Sequence, residues 1–331
     1  MEELKDFKNE LEQKIIDATK VIIVPHDGLD FDAIAASIGL ALIAKKYKKP
    51  YYIVVNDPIY YKIDYGVRII LNEARVDYAI INYESYTTLR EENDLFILTD
   101  VNKSDKISLK EEVENNKKNI VIIDHHNLGS KSVEADTKFV DATSSSASEI
   151  ITRLLNLWKI KIEPSVANYL LSGIRLDTNK FERNVSLETM RIVTKLLENG
   201  ADMKVINEWF DKDFESEKRI FELVSKAVLR NYTVAVIMAE EGIEYTDQEL
   251  ASAADKLLMR DINAAYVIGG VGDGVIAVKA RSRQYVNVGE VMEQLNGGGN
   301  PYSAATKIEG SNIEEVGKKL IKVIQPPHYL K

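Results

Sequence analysis

The sequence predicts an α/β fold in which a mostly parallel-sheet domain is joined by a helical connector to a smaller α/β domain. In the first half of the 331-residue chain, short β-rich runs alternate with helical patterns, which is typical of a parallel sheet covered on both faces. A long helical stretch, from about Pro164 to Leu229, then separates this half from a second β-rich region. We therefore predict a first domain at residues 1–186, a connector at 187–228 and a second domain at 229–331.

The elements of the first domain follow from the spacing of its apolar residues. An i/i+3/i+4 stripe near the N-terminus predicts an amphipathic surface helix, carried by Leu4, Phe7, Leu11, Ile15 and Ile16. Apolar runs predict strands at Lys20–Val24, Tyr51–Val55, Asp77–Ile81, Leu95–Thr99 and Asn119–Ile123. Helical patterns cover Asp32–Lys45 and Ala147–Leu157, and the serines at 144, 145, 146 and 148 are expected to cap the second of these helices.

The connector and the second domain show a different order of elements. Within the connector, Leu187–Gly200 is a helix that ends on a plausible glycine cap. Strands are predicted at Tyr232–Met238, Ala264–Gly270 and Val275–Ala280. A helix at Val288–Leu295, a glycine-rich loop and a last helix near Ile313–Val323 complete the chain.

Composition and charge narrow the classes of function. The 43 basic and 52 acidic residues give a net charge of −9, which argues against a dedicated duplex-DNA binder because such binding depends on many lysine and arginine contacts. The chain has no cysteine, so any metal must be held by oxygen and imidazole. It also lacks a signal peptide or an apolar run long enough to span a membrane. We expect a cytoplasmic protein with no membrane association.

Histidines and carboxylates follow three of the predicted strands. His26-x3-Asp30-x-Asp32 comes after the first strand, Asp100 after Leu95–Thr99, and Asp124-His125-His126 after Asn119–Ile123. Taken singly, an aspartate after a strand or at a helix end, such as Asp177, is equally compatible with a turn or a cap. Ligands bind beyond the carboxyl ends of parallel strands, and these three segments meet there. Carboxylates with some imidazole suit a hard or borderline divalent ion, with Mn²⁺ a natural candidate.

The ordered set of motifs resembles the DHH phosphoesterases that carry a C-terminal DHH-associated domain. The resemblance runs from about Val21 to Gln325 and includes, besides the three segments above, Gly173-Ile174-x2-Asp177-Thr178-x2-Phe181. The later pattern Ala280-Arg281-Ser282 and Gly297-Gly298-Gly299 is most similar to bacterial cyclic-di-AMP phosphodiesterases, which are related to nano-RNA and phosphoadenosine-phosphate (pAp) hydrolases.

The resemblance implies two divalent ions, expected to be Mn²⁺, with Asp100 bridging them. One ion would be held by His26, Asp30 and Asp100, and the other by Asp32, Asp100, His125 and Asp177. The four aspartates would offset the charge of two divalent ions, which could activate a water to attack the phosphate. Asp124 and His126 would be catalytic residues that orient these ligands or contact the phosphate.

The resemblance places substrate binding in the second domain. Arg281 would contact phosphate oxygens, Ser282 would add a hydrogen bond, and Gly297, Gly298 and Gly299 would allow the backbone to approach a phosphate. The sequence departs from the family at Asn300, where relatives usually carry a histidine, and at Ala147, where they tend to carry a threonine. Both departures concern substrate choice or rate and leave the predicted metal ligands in place.

Three functional hypotheses remain open. The leading one is a phosphodiesterase that hydrolyses cyclic-di-AMP, linear pApA or both by a water activated between two metal ions. The second is a nano-RNA or pAp hydrolase on the same scaffold. The third, from another class, is a catalytically weak nucleotide-binding sensor, suggested by Asn300. Each implies a small nucleotide as the partner, and family members that form homodimers make self-association a further expectation.

Overall fold

The computed structural model describes residues 2–56, 63–116, 119–129, 131–211, 214–230, 233–258, 261–283 and 286–324. The chain forms two compact units, residues 1–211 and 212–331. The predicted boundaries at 186/187 and 228/229, and the role of the segment between them as a connector, stay predictions. Each unit has its own hydrophobic core.

A six-stranded parallel sheet forms the centre of the first unit. Its strands are β1 (Val21–Val24), β2 (Tyr51–Val55), β3 (Ile80–Asn82), β4 (Leu95–Thr99), β5 (Ile120–Asp124) and β6 (Thr137–Val140). They lie in the order β3-β2-β1-β4-β5-β6, and every pair is parallel. The chain leaves β1 toward one edge of the sheet and leaves β4 toward the other, so the order reverses between these two strands. This reversal is the point where open α/β sheets form ligand crevices.

Helices surround this sheet. They are α1 (Glu2–Asp17), α2 (Phe31–Lys46), α3 (Tyr65–Ala74), α4 (Tyr83–Thr87), α5 (Lys110–Asn115), α6 (Ala147–Leu157), α7 (Pro164–Asp177), α8 (Leu187–Glu198) and α9 (Met203–Phe210). A 3-10 turn spans Ser104–Lys106. Helix α2 is apolar on nearly all sides and is almost wholly buried, because it packs against the sheet on one side and against α6 and α7 on another. Burial of each of its isoleucine side chains stabilises the fold by about 1.5–3 kcal/mol.

The second unit is a smaller, mixed six-stranded sheet with four helices among its described residues. The strands are β7 (Val228–Arg230), β8 (Val234–Met238), β9 (Ala264–Gly270), β10 (Val275–Ser282), β11 (Gly298–Gly299) and β12 (Ser303–Glu309). Their order is β11-β12-β10-β9-β8-β7, with only β8 and β9 parallel. The helices are α10 (Phe214–Ser225), α11 (Asp247–Leu257), α12 (Val288–Glu293) and α13 (Ile313–Val323).

The predicted α/β class and the parallel sheet are confirmed, and the errors concern the presence or the bounds of individual elements. The third strand begins at Ile80 and not at Asp77. Strands β6 and β12 were missed; β6 is an edge strand whose exposed Lys138 gives it little apolar alternation. The helical stretch was predicted to reach Leu229, but that residue lies in the exposed edge strand β7. Tyr232, the predicted start of β8, lies outside the described residues.

Candidate metal centre

The structure brings the polar segments after β1, β4 and β5 together at the carboxyl edge of the first sheet. Asp100 follows β4 directly and has a left-handed backbone (φ +58°), a conformation that costs a non-glycine residue energy and that clusters at functional sites. Its backbone N–H donates to the carbonyl of Ile123 on β5, at 3.0 Å. This bond fixes the position of Asp100 beside the end of β5.

One group of potential metal donors consists of His26, Asp30 and Asp100. His26 Nε2 lies 3.5 Å from Asp30 Oδ2 and 3.3 Å from Asp100 Oδ2. Asp30 is also the N-cap of α2, and its Oδ1 accepts the backbone N–H groups of Asp32 and Ala33, each at 3.0 Å. One carboxylate oxygen therefore caps the helix while the other faces the histidine.

A second group consists of Asp32, Asp100, His125 and Asp177. His125 Nε2 lies 3.4 Å from Asp100 Oδ1 and 3.1 Å from Asp177 Oδ2. Asp177 is the last residue of α7. In both groups one donor atom of each member lies within 4.8 Å of the others, and Asp100 belongs to both groups. These are the two sets predicted from the resemblance; their role as metal ligands remains a proposal.

Asp32 is fully buried and is held by the first turn of α6. Its Oδ2 accepts the backbone N–H of Ala147 at 2.7 Å, and its Oδ1 accepts that of Ser148 at 2.8 Å. A helix N-terminus favours a carboxylate because its N–H groups are unpaired and its dipole is positive there. The N-cap of α6 is Ser146, whose hydroxyl accepts the N–H of Glu149, as the serine-rich run predicted. Helix α6 thus orients a carboxylate from a distant part of the chain.

Gly173 allows α7 to approach Asp32. A Cβ atom on Gly173 would lie 2.3 Å from Ser148 Oγ, 2.7 Å from Asp32 Oδ1 and 2.9 Å from Asp32 Cα. All three distances are shorter than van der Waals contact. A residue with a side chain at position 173 would therefore displace Asp32, Ser148 or α7 itself.

Burial and the neighbouring charges shift the pKa values of Asp32, Asp177 and His125. Burial raises the pKa of Asp32 well above its usual value, and the charges of Asp100 and Asp177 raise it further. Burial also raises the pKa of Asp177, to about 6, although the nearby His125 lowers it. Burial lowers the pKa of His125, but the close carboxylates of Asp100 and Asp177 outweigh this effect and raise it to about 12. The site as it stands therefore has a strong affinity for positive charge.

The donor atoms fit divalent ions. Among the described residues, Asp100 Oδ1 and His125 Nε2 are buried atoms without a hydrogen-bond partner. They face each other at 3.4 Å. Unpartnered buried polar atoms are costly, and a cation between them would satisfy both. Carboxylates and imidazole are donors that Mn²⁺ accepts.

Asp124 and His126, the predicted catalytic residues, lie beside the two groups. Asp124 is fully buried; its Oδ1 contacts His126 Nδ1 at 2.8 Å and accepts the backbone N–H of His125 at 2.8 Å. The hydrogen bond to Asp124 raises the pKa of His126 more than burial lowers it. Because Nδ1 is engaged with Asp124, Nε2 is the ring nitrogen of His126 left for another partner.

Sequence reasoning missed Asn102. This residue is buried, and its Nδ2 donates to Asp124 Oδ2 at 2.6 Å and to the His126 carbonyl at 3.2 Å. Its Oδ1 accepts the hydroxyl of Ser132 at 2.9 Å. Asn102 therefore completes the bonds that hold Asp124. In the sequence, Asn102 could have been recognised as a polar residue two positions after Asp100, which directly follows a predicted strand.

A cavity of about 250 Å³ opens at this centre. It is lined by His26, Asp30, Asp100, Val101, Asn102, Lys103, Lys106, Asp124, His126 and Asp177. Four of the six predicted donors line it, namely His26, Asp30, Asp100 and Asp177, whereas Asp32 and His125 do not. The two lysines were also missed by sequence reasoning.

In the second unit, the predicted substrate-binding residues Arg281 and Ser282 lie at the end of β10. Arg281 Nε pairs with Asp255 Oδ1 of α11 at 3.1 Å. Ser282 is buried, and its hydroxyl lies within hydrogen-bond distance of the carbonyls of Val286 (2.5 Å) and Pro301 (2.9 Å). The Ser282 hydroxyl thus ties together the segments around β10. The predicted contacts of both side chains with substrate stay predictions.

The predicted glycine loop forms the tight β11–β12 hairpin. A Cβ atom on Gly299 (φ +150°) would lie 2.4 Å from the Ser303 carbonyl oxygen, and one on Gly297 would lie 2.4 Å from that of Ala305, whereas Gly298 faces open space. Asn300 Oδ1 accepts the backbone N–H groups of Tyr302 and Ser303, each at 2.9 Å. The Asn300 oxygen therefore stabilises the turn, which leaves its amide N–H groups for a ligand.

Comparisons with known proteins agree with this architecture. The profile of the DHH family, N-terminal domain, matches residues 20–174, and that of the DHHA1 domain matches residues 230–325. The chain belongs to the DHH family and carries a DHH domain and a DHHA1 domain. The two matched regions fall in the first and second structural units, respectively.

Curated relatives of this chain include phosphodiesterases and a bifunctional oligoribonuclease. The chain is 29% identical over 320 residues to the cyclic-di-AMP phosphodiesterase GdpP of Bacillus subtilis. The aligned region covers 94% of this chain and 48% of the relative. It is 23% identical over 313 residues to the bifunctional oligoribonuclease and PAP phosphatase NrnA of Mycoplasma pneumoniae, covering 92% of this chain and 91% of the relative. The first-ranked curated relatives are longer proteins, of which the chain spans 38% to 48%.

A solved structure shares the fold. The exopolyphosphatase-related protein of Bacteroides fragilis superposes with a TM-score of 0.80 at 20% identity, over 97% of this chain and 96% of that one. Among the helices that the structure describes, none combines the length and apolar character that crossing a bilayer would require.

Proposed function

We propose that this chain is a metal-dependent phosphodiesterase that hydrolyses cyclic-di-AMP, linear pApA or both. The observation that carries the proposal is the position of Asp100, which is buried and shared by two donor groups that each suit a divalent ion. Two ions bridged by one carboxylate suit phosphate-ester hydrolysis, because together they stabilise the attacking and the leaving oxygen. The similarity to the Bacillus subtilis relative supports the cyclic-di-AMP branch.

His26, Asp30 and Asp100 would hold one ion, and Asp32, Asp100, His125 and Asp177 the other. Mn²⁺ is the proposed ion, because the sets mix imidazole with carboxylates, whereas Mg²⁺ favours oxygen ligands and retains its waters. When bound, the ions would lower the pKa of a water and stabilise the charge that develops on the attacking and leaving oxygens. Their +4 charge would offset the four aspartates.

Asp124, Asn102 and His126 would position a proton donor beside the ions. Asp124 holds His126 through Nδ1 and, with Asn102, prevents the imidazole from turning. Because Nδ1 is held by Asp124, Nε2 is the atom through which His126 would donate to a phosphate oxygen or to the leaving oxygen. The sequence departure at Ala147 does not remove the contact with Asp32, because that contact uses the backbone N–H.

In the second unit, Arg281 and the Gly297–Asn300 hairpin are proposed to bind the nucleotide. The Arg281 guanidinium donates from Nε to Asp255 and from Nη1 to the Ala280 carbonyl. Its remaining N–H groups would donate to a phosphate. The amide N–H groups of Asn300 can donate to phosphate but carry no charge, unlike a protonated histidine.

The test is incubation of the purified chain with Mn²⁺ and, separately, cyclic-di-AMP, pApA, a 5′-phosphorylated trinucleotide and pAp, with products separated by chromatography. Opening of cyclic-di-AMP or cleavage of pApA, abolished by a chelator and restored by Mn²⁺, is the expected result. Binding of these nucleotides without any product would refute the enzymatic proposal and favour a sensor.

A second candidate function, hydrolysis of nano-RNA or pAp, is favoured by the similarity to the Mycoplasma pneumoniae protein, which matches this chain along nearly its whole length. The same experiment separates the two candidates. Products from the trinucleotide or pAp, with cyclic-di-AMP intact, would select this second function.

A further inference from the structure

Two lysines line the cavity of the metal centre and belong to neither group of proposed metal donors. Lys103 is the N-cap of the 3-10 turn Ser104–Lys106, and Lys106 is the last residue of that turn. Both residues line the cavity together with Asp30, Asp100 and His126.

Hydrogen bonds hold this turn on both sides. The backbone N–H of Asp27, in the segment after β1, donates to the Lys106 carbonyl at 2.8 Å. The N–H of Val133 donates to the Asn102 carbonyl at 2.7 Å, and Lys103 forms a β-bridge with Ser132. The turn is thus fixed relative to the metal donors, so the positions of the two lysine stems are set by the fold.

The lysine side chains are not neutralised within the turn. The one acidic residue there, Asp105, forms an ion pair at 2.8 Å with Lys131, which does not line the cavity. Neither Lys103 nor Lys106 forms a side-chain ion pair with any residue in the described part of the chain. Both are exposed, so their ammonium groups are available to an anion from solution.

The charges and the size of the cavity define that anion. With two divalent ions, the four aspartates are offset, and the two lysines add two positive charges beside a neutral centre. A cavity of about 250 Å³ is below the usual range for a drug-sized ligand, about 300–1,000 Å³. A dinucleotide is larger than this cavity, so part of the substrate would lie at its rim, where the two exposed lysines can meet a further phosphate.

We propose that Lys103 and Lys106 form a phosphate subsite, separate from the metal-held phosphate, that binds the terminal phosphomonoester of a linear nucleotide such as pApA. The inference rests on the proposed function and deepens it. A monoester carries close to two negative charges at neutral pH and a diester carries one, so the lysine pair favours the linear substrate over the cyclic one.

The experiment compares wild type with the K103Q/K106Q variant on three substrates: pApA, cyclic-di-AMP and bis(p-nitrophenyl) phosphate, a diester with no second phosphate. We expect KM for pApA to rise about tenfold in the variant, the size expected for lost charge-assisted hydrogen bonds at an exposed site. KM for cyclic-di-AMP should rise less, and KM for bis(p-nitrophenyl) phosphate and all kcat values should stay within about twofold. Added salt should raise KM for pApA in wild type more than in the variant, because screening acts on the lysine charges.

The matched control is K131Q, which removes a lysine from the neighbouring segment that pairs with Asp105 outside the cavity; its constants should equal those of wild type. An unchanged KM for pApA in the double variant would overturn the inference. An equal rise for bis(p-nitrophenyl) phosphate would also overturn it, since the lysines would then act on the reacting phosphate.

Failure of the proposed function would be recognised separately, as no hydrolysis of any substrate by wild type. The lysine pair is then tested by calorimetric titration with AMP in the presence of Mn²⁺. Weaker AMP binding by K103Q/K106Q than by K131Q supports the subsite, and equal binding by the two variants refutes it.

Discussion

Replacement of Gly173 by alanine tests whether the contact between α7 and Asp32 positions a metal ligand. The new Cβ would lie 2.7 Å from Asp32 Oδ1 and 2.9 Å from Asp32 Cα, so the two segments must separate by roughly 0.5–1 Å to reach normal contact. Overpacking of this kind costs about 1–3 kcal/mol. Because alanine has a higher helix propensity than glycine, the substitution also stabilises the helix by about 1 kcal/mol. The apo protein should therefore lose about 0–2 kcal/mol of stability.

The effect on metal binding should be larger than the effect on the apo fold. Changes that disturb the orientation of a metal ligand typically reduce affinity about 10- to 100-fold. A tenfold loss of affinity removes about 1.4 kcal/mol of the stabilisation that a saturating metal provides. The assay is thermal unfolding in chelator and in Mn²⁺, with the dissociation constant measured by calorimetry.

Gly39→Ala is the matched control for this experiment. Its Cβ would meet Ile151 Cγ2 at 2.4 Å and touches no proposed ligand. It should destabilise the apo protein through overpacking yet keep the wild-type increase in Tm on adding Mn²⁺. If Gly173→Ala also kept the wild-type increase, the reasoning that this close approach positions Asp32 for metal would be refuted.

Three further predictions concern single residues. Asp100→Ala should abolish Mn²⁺-dependent hydrolysis because it removes the carboxylate shared by both donor groups; hydrolysis retained across a Mn²⁺ titration would exclude a bridging role. Burial raises the pKa of Asp141, but its hydrogen bonds and its ion pair with Arg153 lower it to about 2. A carboxylate whose pKa is lowered by folding stabilises the fold fully at a pH above its pKa in the unfolded chain, and this stabilisation is lost as the pH falls toward the folded pKa. At pH 6 the free energy of unfolding of wild type should therefore exceed that of Asp141→Asn by about 1 kcal/mol, after allowance for solvent screening. This difference should shrink as the pH falls toward 3 in denaturant titrations, and a constant difference would contradict the assignment. Asn300→His should raise turnover or shift substrate preference while costing about 1 kcal/mol of stability, because the histidine cannot reproduce both turn hydrogen bonds; kinetics on pApA and cyclic-di-AMP that match wild type would remove the reason to link this position to substrate.

The sequence by itself determined the parallel sheet and the residue types at its carboxyl edge. Buried strands of a parallel sheet are continuous apolar runs, so the runs that became β1, β4 and β5 could be located, and the polar residues that end them had to meet at one edge. The candidate donors His26, Asp100 and His125 could therefore be predicted before any contact was known. Their assignment to two separate ions came from the resemblance to the DHH family.

Only the tertiary structure decided how these residues are held and which others join them. Asp32 is oriented by the backbone of α6, more than a hundred positions away along the chain, and this contact depends on the packing of α2 against α6 and α7. Asn102 and the lysine pair lie in a short loop with no periodic pattern. Periodicity reports whether a residue faces the core, because burial repeats with the backbone geometry. It carries no information about which distant partner a polar side chain will find, and that choice is made when the elements pack.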